Sequence, residues 1–376
     1  MAGIYLHIPF CKQACHYCDF HFSTSPHLKD KIVASLQREL ILQKSYLADL
    51  QVKTIYFGGG TPSLLAADEI ETLIAAITEH FDVNEHVEIT LEANPDDLNP
   101  QKVKELRQTQ VNRFSIGVQS FYEEDLKWMN RAHTSSEAES AIKRVQDAGF
   151  SNITVDLIYG YPLLSNPKWY NNIHQVVDLQ IPHISSYSMT VEPATALASF
   201  ISNGKQQPMN EAQSAEQLTI LIEDLTAAGY EQYEISNFAR PYKHSRHNSN
   251  YWKGISYLGI GPSAHSFNGE TRQWNIANNN HYIEAIESGK IPAEKEILTK
   301  ANRLNEYIMT SLRTIWGLDL NRVETDFGKD YRKMTENSLQ VFFEKNQVSR
   351  NGNIITLTTA GKLFADHIAA ELFIEE

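Results

Sequence analysis

The chain has 376 residues, of which 42% are hydrophobic and 21% are charged, a composition ordinary for a soluble globular protein. With 33 Lys and Arg against 46 Asp and Glu, the net charge is −13. This balance argues against a general nucleic-acid binder, because phosphate contacts need clustered basic side chains. The sequence shows no recognisable secretion signal or bilayer-spanning run, so we expect a cytoplasmic protein whose three cysteines stay reduced.

Short β-like runs recur in the first half of the chain, and a helix-like segment follows each of them. Strands are predicted at 4–8, 54–57, 87–91, 113–118, 153–158 and 183–188. Strands that alternate with helices imply parallel strands joined by right-handed crossovers. About six such units predict the α/β class with a (β/α)6 partial TIM barrel. A doubly wound open sheet is the alternative, because periodicity does not show how a sheet closes.

The helix-like segments show helical spacing or end signals. Within 29–49 the apolar residues that recur at helical spacing are Ile32, Val33, Leu36 and Leu40. A second helix is predicted over 135–148, with Gly149 just beyond its end, and a third over 210–228, ended by Gly229.

The last third of the chain has a different pattern. A polar and aromatic stretch at 230–280 precedes helical segments that extend to about residue 345. Two short strands, 348–350 and 354–357, then flank Asn351-Gly352-Asn353, which is a hairpin signal, and a last helix is predicted over 359–373. Together these elements predict a small winged-helix-like α/β domain at the C-terminus.

All three cysteines lie within eight residues, as Cys11, Cys15 and Cys18. A loop with the spacing CxxxCxxC can place three thiolates around one cuboidal 4Fe–4S cluster. One iron then has no protein ligand and is open to a small chelating molecule. A structural zinc is the alternative, and it would need a fourth ligand such as His16 or His21.

The cysteine loop resembles that of the radical S-adenosylmethionine (SAM) superfamily. The words YLHIPFC at 5–11 and YCDF at 17–20 resemble the branch that contains oxygen-independent coproporphyrinogen oxidase and the HemW haem chaperones, and the resemblance covers nearly the whole chain. The oxidase has a fourth Cys two residues after the third and a longer N-terminus. This chain has Phe20 at that place and begins ten residues before Cys11. Both departures favour the HemW family.

Polar words follow the predicted strands, where β/α barrels place their functional groups. GGGTP at 58–62 follows the second strand, Glu92 ends the third and Gln119 ends the fourth. Arg131 lies twelve residues further on, and Asp156 lies inside the apolar fifth strand, where a charge needs a partner or a function. A tight turn explains the glycines equally well, and a plain salt bridge is the alternative for Arg131 and Asp156.

The resemblance assigns SAM-binding roles to these residues. The positions that would contact the nucleotide are Tyr5, Gly60, Thr61, Glu92, Gln119, Arg131 and Asp156. Tyr17 would lie beside the adenine, GGGTP would hold the ligand's amino group, and the planar fork of Arg131 suits its carboxylate. If chemistry occurs, the resemblance implies that the reduced cluster cleaves SAM to methionine and a 5′-deoxyadenosyl radical.

HNSNYW at 247–252 matches the HNxxYW word of the HemW family. Neutral imidazole is a common axial ligand of haem iron, so His247 is predicted to bind haem, with His265 as the competing ligand. The basic residues just before this word, which could pair with haem propionates, are Arg240, Lys243, His244 and Arg246. A solvated loop with a structural His is the alternative.

The resemblance implies a haem chaperone that delivers haem to acceptor haemoproteins and has a 4Fe–4S cluster, SAM and haem as cofactors. The alternatives are oxygen-independent coproporphyrinogen III oxidase and a radical SAM enzyme with another substrate; decarboxylation is not expected. Implied partners are haem, acceptors such as membrane-bound respiratory enzymes and a reductant, without nucleic acid, and a homodimer stays open. The expected divisions are a radical SAM barrel at 1–200, a barrel extension with a haem-binding connection at 201–295 and the C-terminal domain at 296–376.

Overall fold

A computed structural model of the protein describes residues 1–47 and 50–375. Positions 48 and 49, at the end of the segment predicted as a helix over 29–49, lie outside these residues, as does position 376 of the expected C-terminal domain. Within the described part of the chain, no helix is long and apolar enough to cross a lipid bilayer.

The secondary structure alternates over the first half of the chain and becomes mixed in the second. The strands are β1 (Ala2–Ile8), β2 (Val52–Gly59), β3 (Val83–Ala93), β4 (Arg113–Gln119), β5 (Ile153–Tyr159), β6 (His183–Ser188), β7 (Glu231–Glu234), β8 (Asn237–Ala239), β9 (Tyr257–Ile260), β10 (His265–Phe267), β11 (Thr271–Asn275), β12 (Ala293–Ile297), β13 (Leu318–Asp319), β14 (Val348–Asn351) and β15 (Ile354–Leu357). The helices are α1 (Lys29–Leu42), α2 (Ala67–His80), α3 (Pro100–Leu106), α4 (Glu123–Trp128), α5 (Ser135–Asp147), α6 (Asn166–Asp178), α7 (Ala196–Ser202), α8 (Glu211–Ala227), α9 (Arg246–Trp252), α10 (Asn279–Glu287), α11 (Lys300–Leu312), α12 (Leu320–Arg322), α13 (Lys329–Glu344), α14 (Thr359–Lys362) and α15 (Ala365–Glu371).

The first six strands are parallel and lie side by side in chain order, from β1 to β6. A doubly wound sheet would reverse its order at a switch point, so consecutive order is that of a partial barrel. Every strand predicted in this region lies within one of the six. The predicted fold class is confirmed.

The two helices that the sequence ends at a glycine are present as α5 and α8, with Gly149 and Gly229 just beyond their ends. Thr134 precedes α5 and its side chain accepts a hydrogen bond from the Glu137 amide, while Gly149 follows the helix with φ +90°. Asn210 similarly caps α8. By contrast, α1 ends at Leu42, well before the predicted end near residue 49.

The barrel strands have an apolar face and a polar face. On β1, Ile4, Leu6 and Ile8 are fully buried in the apolar core. The alternating residues of β2 to β6 on the opposite face include Thr54, Tyr56, Thr90, Glu92, Arg113, Ser115, Thr154, Asp156 and Ser185. Parallel strands covered on both sides are usually apolar on both faces. A polar inner face therefore indicates a barrel that encloses a ligand site.

The sheet continues beyond the barrel strands on both sides. β9 pairs in parallel with β1, and β10, β11 and β12 follow in antiparallel order, while β8 and β7 extend the sheet beyond β6. The buried Glu39 of α1 joins this extension to the barrel. Its carboxylate accepts hydrogen bonds from the Gly261 amide, Asn275 Nδ2 and Tyr282 OH.

A second apolar core lies in the C-terminal part, between Leu304 and Ile374. It surrounds the sheet β13-β15-β14, and the predicted hairpin is present as β14 and β15. The predicted last helix is instead divided into α14 and α15. A side chain at Gly361 would collide with the Gln347 carbonyl, so α14 is held against the hairpin, whereas α15 packs on α11. The expected division at 200 and 295 stays a prediction.

Candidate functional site

The loop between β1 and α1 holds the three cysteines at the carboxyl end of the barrel. Hydrogen bonds attach the loop to its surroundings, from the Cys11 amide to the Ser23 carbonyl (3.0 Å) and from the His16 amide to the Met129 carbonyl (3.1 Å). All three thiols are free and partly exposed. Two of them contact donors of other loops: Thr61 Oγ1 lies 3.5 Å from Cys11 Sγ, and Arg131 Nη1 lies 3.3 Å from Cys15 Sγ.

The donor set has the chemistry of a cluster site. Among the described residues, no three Cys, His, Asp or Glu side chains converge closely enough to hold a single metal ion. A cuboidal cluster does not need such convergence, because each thiolate binds its own iron. Burial raises the pKa of Cys18 to about 11 and that of Cys11 above its usual range. Bound iron would counter this by keeping coordinating thiols deprotonated.

The glycine-rich turn after β2 lies against the cysteine loop. The Gly60 and Thr61 amides donate to the carbonyls of Ile8 (2.9 Å) and Phe10 (2.7 Å). A β-carbon at position 60 would lie 2.6 Å from the Phe10 carbonyl oxygen, so only glycine allows this approach. The turn thereby places Thr61, which is buried, beside Cys11.

Two carboxylates lie on the inner face of the barrel. Glu92 Oε1 accepts a hydrogen bond of 2.7 Å from the Tyr56 hydroxyl, and Asp156 accepts from Ser115 Oγ at 3.3 Å. Burial raises the pKa of Glu92 to about 7 and that of Asp156 to about 6. The buried Arg113 partly opposes both shifts, because its positive charge favours the ionised carboxylates.

Arg131 bonds to the loops around the site and not to Asp156. Its Nη2 donates to Asn94 Oδ1 (2.6 Å) and to the Gly117 carbonyl (2.7 Å), so the plain salt bridge is not formed. Its Nε is buried and has no hydrogen-bond partner among the described residues. Buried polar groups normally have a partner. The site therefore suits an anionic ligand such as a carboxylate next to the cysteine loop.

These groups surround one cavity of about 470 Å³. The predicted site residues that line it are Cys11, Cys15, Tyr17, Cys18, Gly60, Thr61, Glu92, Gln119, Arg131 and Asp156. Tyr5 and His247 do not line it. Tyr5 instead packs against Tyr56, with ring centroids 6.1 Å apart.

The sequence comparisons agree with this arrangement. Residues 5–167 match the model of the radical SAM superfamily, and residues 298–364 match the HemN C-terminal domain. The chain is 32% identical to a protein of Bacillus subtilis named heme chaperone HemW, over 98% of each chain. A heme chaperone HemW of Mycobacterium tuberculosis is 33% identical, over 98% of this chain and 94% of the relative. The chain belongs to the HemW family.

A solved structure shows the same fold. Coproporphyrinogen III oxidase (HemN) from Escherichia coli, a radical SAM enzyme, superposes with a TM-score of 0.85 over 99% of this chain and 90% of its own. The sequence identity is 24%, so the comparison establishes the shared fold and leaves the activity open.

The HNxxYW word of this HemW-family chain lies in α9, directly after Arg246, beside the barrel. Glu88 of β3 accepts hydrogen bonds from the Arg246 and His247 amides. The His247 ring is buried between Thr54 Oγ1, 2.9 Å from Nδ1, and the Tyr251 hydroxyl, 2.9 Å from Nε2. Burial lowers the pKa of His247 to about 3, so the ring is neutral. As a haem ligand it would have to give up one of these hydrogen bonds.

The other predicted haem-contacting residues differ in exposure. His265 lies exposed on β10 and stacks on Trp274, with centroids 6.1 Å apart. Several of the basic residues before the HNxxYW word already have protein partners. Arg240 donates to the Ala228 carbonyl, His244 Nε2 lies 2.8 Å from Glu231, and Arg246 donates to the His86 carbonyl at 2.7 Å.

Several residues that line the cavity were not predicted from the sequence. They are Tyr56, Asn94, Ser115, Ser185, Tyr187 and Asn248. Alternation along the strands could have found Ser115 and Ser185, because each lies two residues from another inner-face position. Asn248 could not be chosen over its neighbour His247 from sequence alone. Asn94 joins two predicted residues, since its Nδ2 donates to Thr61 and its Oδ1 accepts from Arg131.

Proposed function

We propose that this HemW-family protein is a haem chaperone that holds a 4Fe–4S cluster, binds SAM beside it, and binds haem for delivery to acceptor haemoproteins. The observation that supports it most directly is near-full-length similarity to curated proteins named heme chaperone HemW. The proposal includes a reductant for the cluster as a partner.

Cys11, Cys15 and Cys18 would hold the cluster. The geometry supports this because the three thiols share one loop that opens on the cavity. The cluster's open iron would face the same cavity. When bound, cluster and SAM together supply one-electron reductive chemistry. The protein's own residues orient the ligand and exclude water.

SAM would bind along the cavity wall. The buried Nε of Arg131 suits the ligand's carboxylate, and Glu92 and Asp156 suit ribose hydroxyls, since an ionised carboxylate accepts hydrogen bonds strongly. Two carboxylates also favour a ligand with a sulfonium charge. Gln119 and Tyr17 line the same cavity, which supports the ligand-contacting roles proposed for them.

Haem would bind through an imidazole, with His247 or His265 as the iron ligand. His247 is neutral, as iron ligation requires. His265 is exposed and needs no rearrangement to meet a ligand. Which one binds stays a prediction.

Coproporphyrinogen decarboxylation is the competing function, because the fold is shared with that oxidase. One residue argues against it. Phe20 occupies the place two residues after Cys18 where the oxidase has its fourth Cys, and this residue lines the cavity and is 66% exposed. Phenylalanine cannot ligate iron or transfer protons.

Anaerobic reconstitution followed by haem titration tests the proposal. We expect a saturable Soret band and, in a second assay, transfer of that haem to an apo-haemoprotein. The same preparation is incubated with coproporphyrinogen III, SAM and a reductant. Conversion to protoporphyrinogen without saturable haem binding would replace the chaperone with the oxidase.

A further inference from the structure

The chain has a strained turn where β4 enters the site. Gln119, the last residue of β4, has φ +68°, and the Ser120 amide donates to the Val118 carbonyl at 2.9 Å. A hydrogen bond between residues two apart around a positive φ defines the classic γ-turn, which is rare and strained. Glycine would adopt this conformation at no steric cost. The presence of a glutamine at this position therefore suggests that its side chain is needed.

The turn places the Gln119 carboxamide beside Arg131. A β-carbon at Gly117 would lie 3.0 Å from Gln119 Nε2 and 3.2 Å from Arg131 Nη2, so both side chains lie over the same glycine. Gln119 also lines the cavity. A residue two positions after Gly117 in an extended strand lies on the same face, so the turn sets where the carboxamide lies against Arg131 and not which face it occupies.

A buried carboxylate accepts a hydrogen bond from Ser120, the residue that follows the strained position. Asp125 of α4 is fully buried, and its Oδ2 accepts hydrogen bonds from Ser120 Oγ (2.9 Å) and from the Tyr161 hydroxyl (2.7 Å). Its Oδ1 pairs with Lys168 Nζ at 2.7 Å. Ser120 Oγ in turn accepts from the Tyr122 amide at 3.2 Å. The residue that follows the strained position is thus fixed by a fully satisfied buried network.

We infer that Asp125 is a positioning residue: through Ser120 it holds the γ-turn that places the Gln119 carboxamide beside Arg131 in the cavity, and it thereby sets the affinity for SAM. The inference rests on the proposed SAM site. Strained backbone persists only where its surroundings over-determine it, and the network of Asp125, Ser120 and Tyr161 supplies that constraint. Asp125 is fully buried and does not line the cavity.

The test measures the dissociation constant of SAM by equilibrium dialysis with the anaerobically reconstituted protein. Ser120→Ala removes one link of the network, and Asp125→Asn removes the charge. Each should raise the dissociation constant on the order of tenfold, the effect of one misplaced hydrogen bond. The iron–sulfur absorbance should remain. Glu124→Gln is the matched control, since the exposed Glu124 also pairs with Lys168 but does not touch Ser120.

The same variants are then made with Gln119→Gly, which relieves the strain and removes the side chain. In that background Ser120→Ala and Asp125→Asn should cost no further affinity. Equal losses in both backgrounds would mean that Asp125 only stabilises the fold, and unchanged affinity in the single variants would also overturn the inference while leaving the proposed SAM site intact. If the unmodified protein binds no SAM, the proposed site and this inference fail together.

Discussion

The Tyr56 hydroxyl donates a hydrogen bond of 2.7 Å to Glu92 Oε1 across the neighbouring strands β2 and β3. Burial nevertheless dominates and raises the pKa of Glu92 to about 7. Asp156, also buried on the inner face, has its pKa raised to about 6. Both carboxyl groups therefore change charge close to neutral pH, inside the cavity that we propose for SAM.

We expect SAM affinity to rise with pH. Below its pKa Glu92 is a neutral acid, and above it is a carboxylate that accepts from hydroxyls and attracts the sulfonium. If only the ionised form binds, a group with a pKa of about 7 gives an affinity about tenfold higher near pH 8 than near pH 6. Dialysis across this range measures the effect.

Glu92→Gln should flatten most of this dependence, because the amide does not ionise. Arg113→Met should move the rise to higher pH, since the buried guanidinium favours the ionised form of both carboxylates. A steep rise that survives Glu92→Gln with its midpoint near pH 6 would assign the effect to Asp156.

The alternation of strand-like and helix-like segments in the sequence predicted the barrel, and the polar residues at the strand ends predicted where its cavity lies. Each predicted strand lay inside an observed one, and ten of the twelve predicted site residues line one cavity, because the carboxyl ends of consecutive parallel strands meet at the same edge. The γ-turn at Gln119 had no signal, since nothing in the residue type indicates a positive φ. The inward-facing charge of Arg113, at the start of β4, was likewise not predicted.

The HNxxYW word shows a second limit of prediction from the sequence. Adjacent residues on a helix point about 100° apart, so His247 and Asn248 cannot both face the same side. In α9 the His ring turns to Thr54, and Asn248 lines the cavity. A sequence word records both residues without showing which one faces the ligand. The break between α14 and α15 similarly depends on a distant contact, that of Gly361 with Gln347.

Replacing Cys11, Cys15 or Cys18 singly by Ala should abolish the iron–sulfur absorbance of the reconstituted protein. Each thiolate is expected to bind a separate iron, and two ligands do not retain a cuboidal cluster. Iron and sulfide analysis together with visible absorbance checks this. Phe20→Ala, in the same loop, is the matched control and should reconstitute normally. Stoichiometric zinc without iron uptake would contradict the prediction.

Glu39→Gln should lower the free energy of unfolding by about 2 to 4 kcal/mol. Both carboxylate oxygens of Glu39 accept hydrogen bonds, and the NH2 group of Gln would replace one of these buried acceptors with a donor. Glu39 is fully buried and accepts from Gln43, Gly261, Asn275 and Tyr282. Burial raises the pKa of Glu39 and these four donors oppose that rise.

Urea unfolding followed by tryptophan fluorescence measures this loss. Glu79→Gln, at an exposed position of α2, is the matched control and should change the free energy of unfolding by less than about 0.5 kcal/mol. An equal effect of the two substitutions would show that Glu39 does not hold the β9–β11 extension against α1.

His247→Ala should weaken haem binding or shift the Soret band while the iron–sulfur spectrum stays intact, if His247 is the iron ligand. The structure allows a sharper form of this prediction. Iron at Nε2 must displace the Tyr251 hydroxyl, and iron at Nδ1 must displace Thr54 Oγ1. Removing the displaced hydroxyl removes a competing hydrogen bond.

Tyr251→Phe should therefore strengthen haem binding by about fivefold if Nε2 is the ligand atom, and Thr54→Val should do so if it is Nδ1, because a competing hydrogen bond is worth about 1 kcal/mol. The two substitutions keep shape and remove one hydroxyl each, so each is the control for the other. His265→Ala is titrated beside them. Since His265 is exposed and makes no contact with either hydroxyl, haem bound through it would be lost in His265→Ala and unchanged in the other three variants, and His247 would then be a buried residue that anchors α9 to β2.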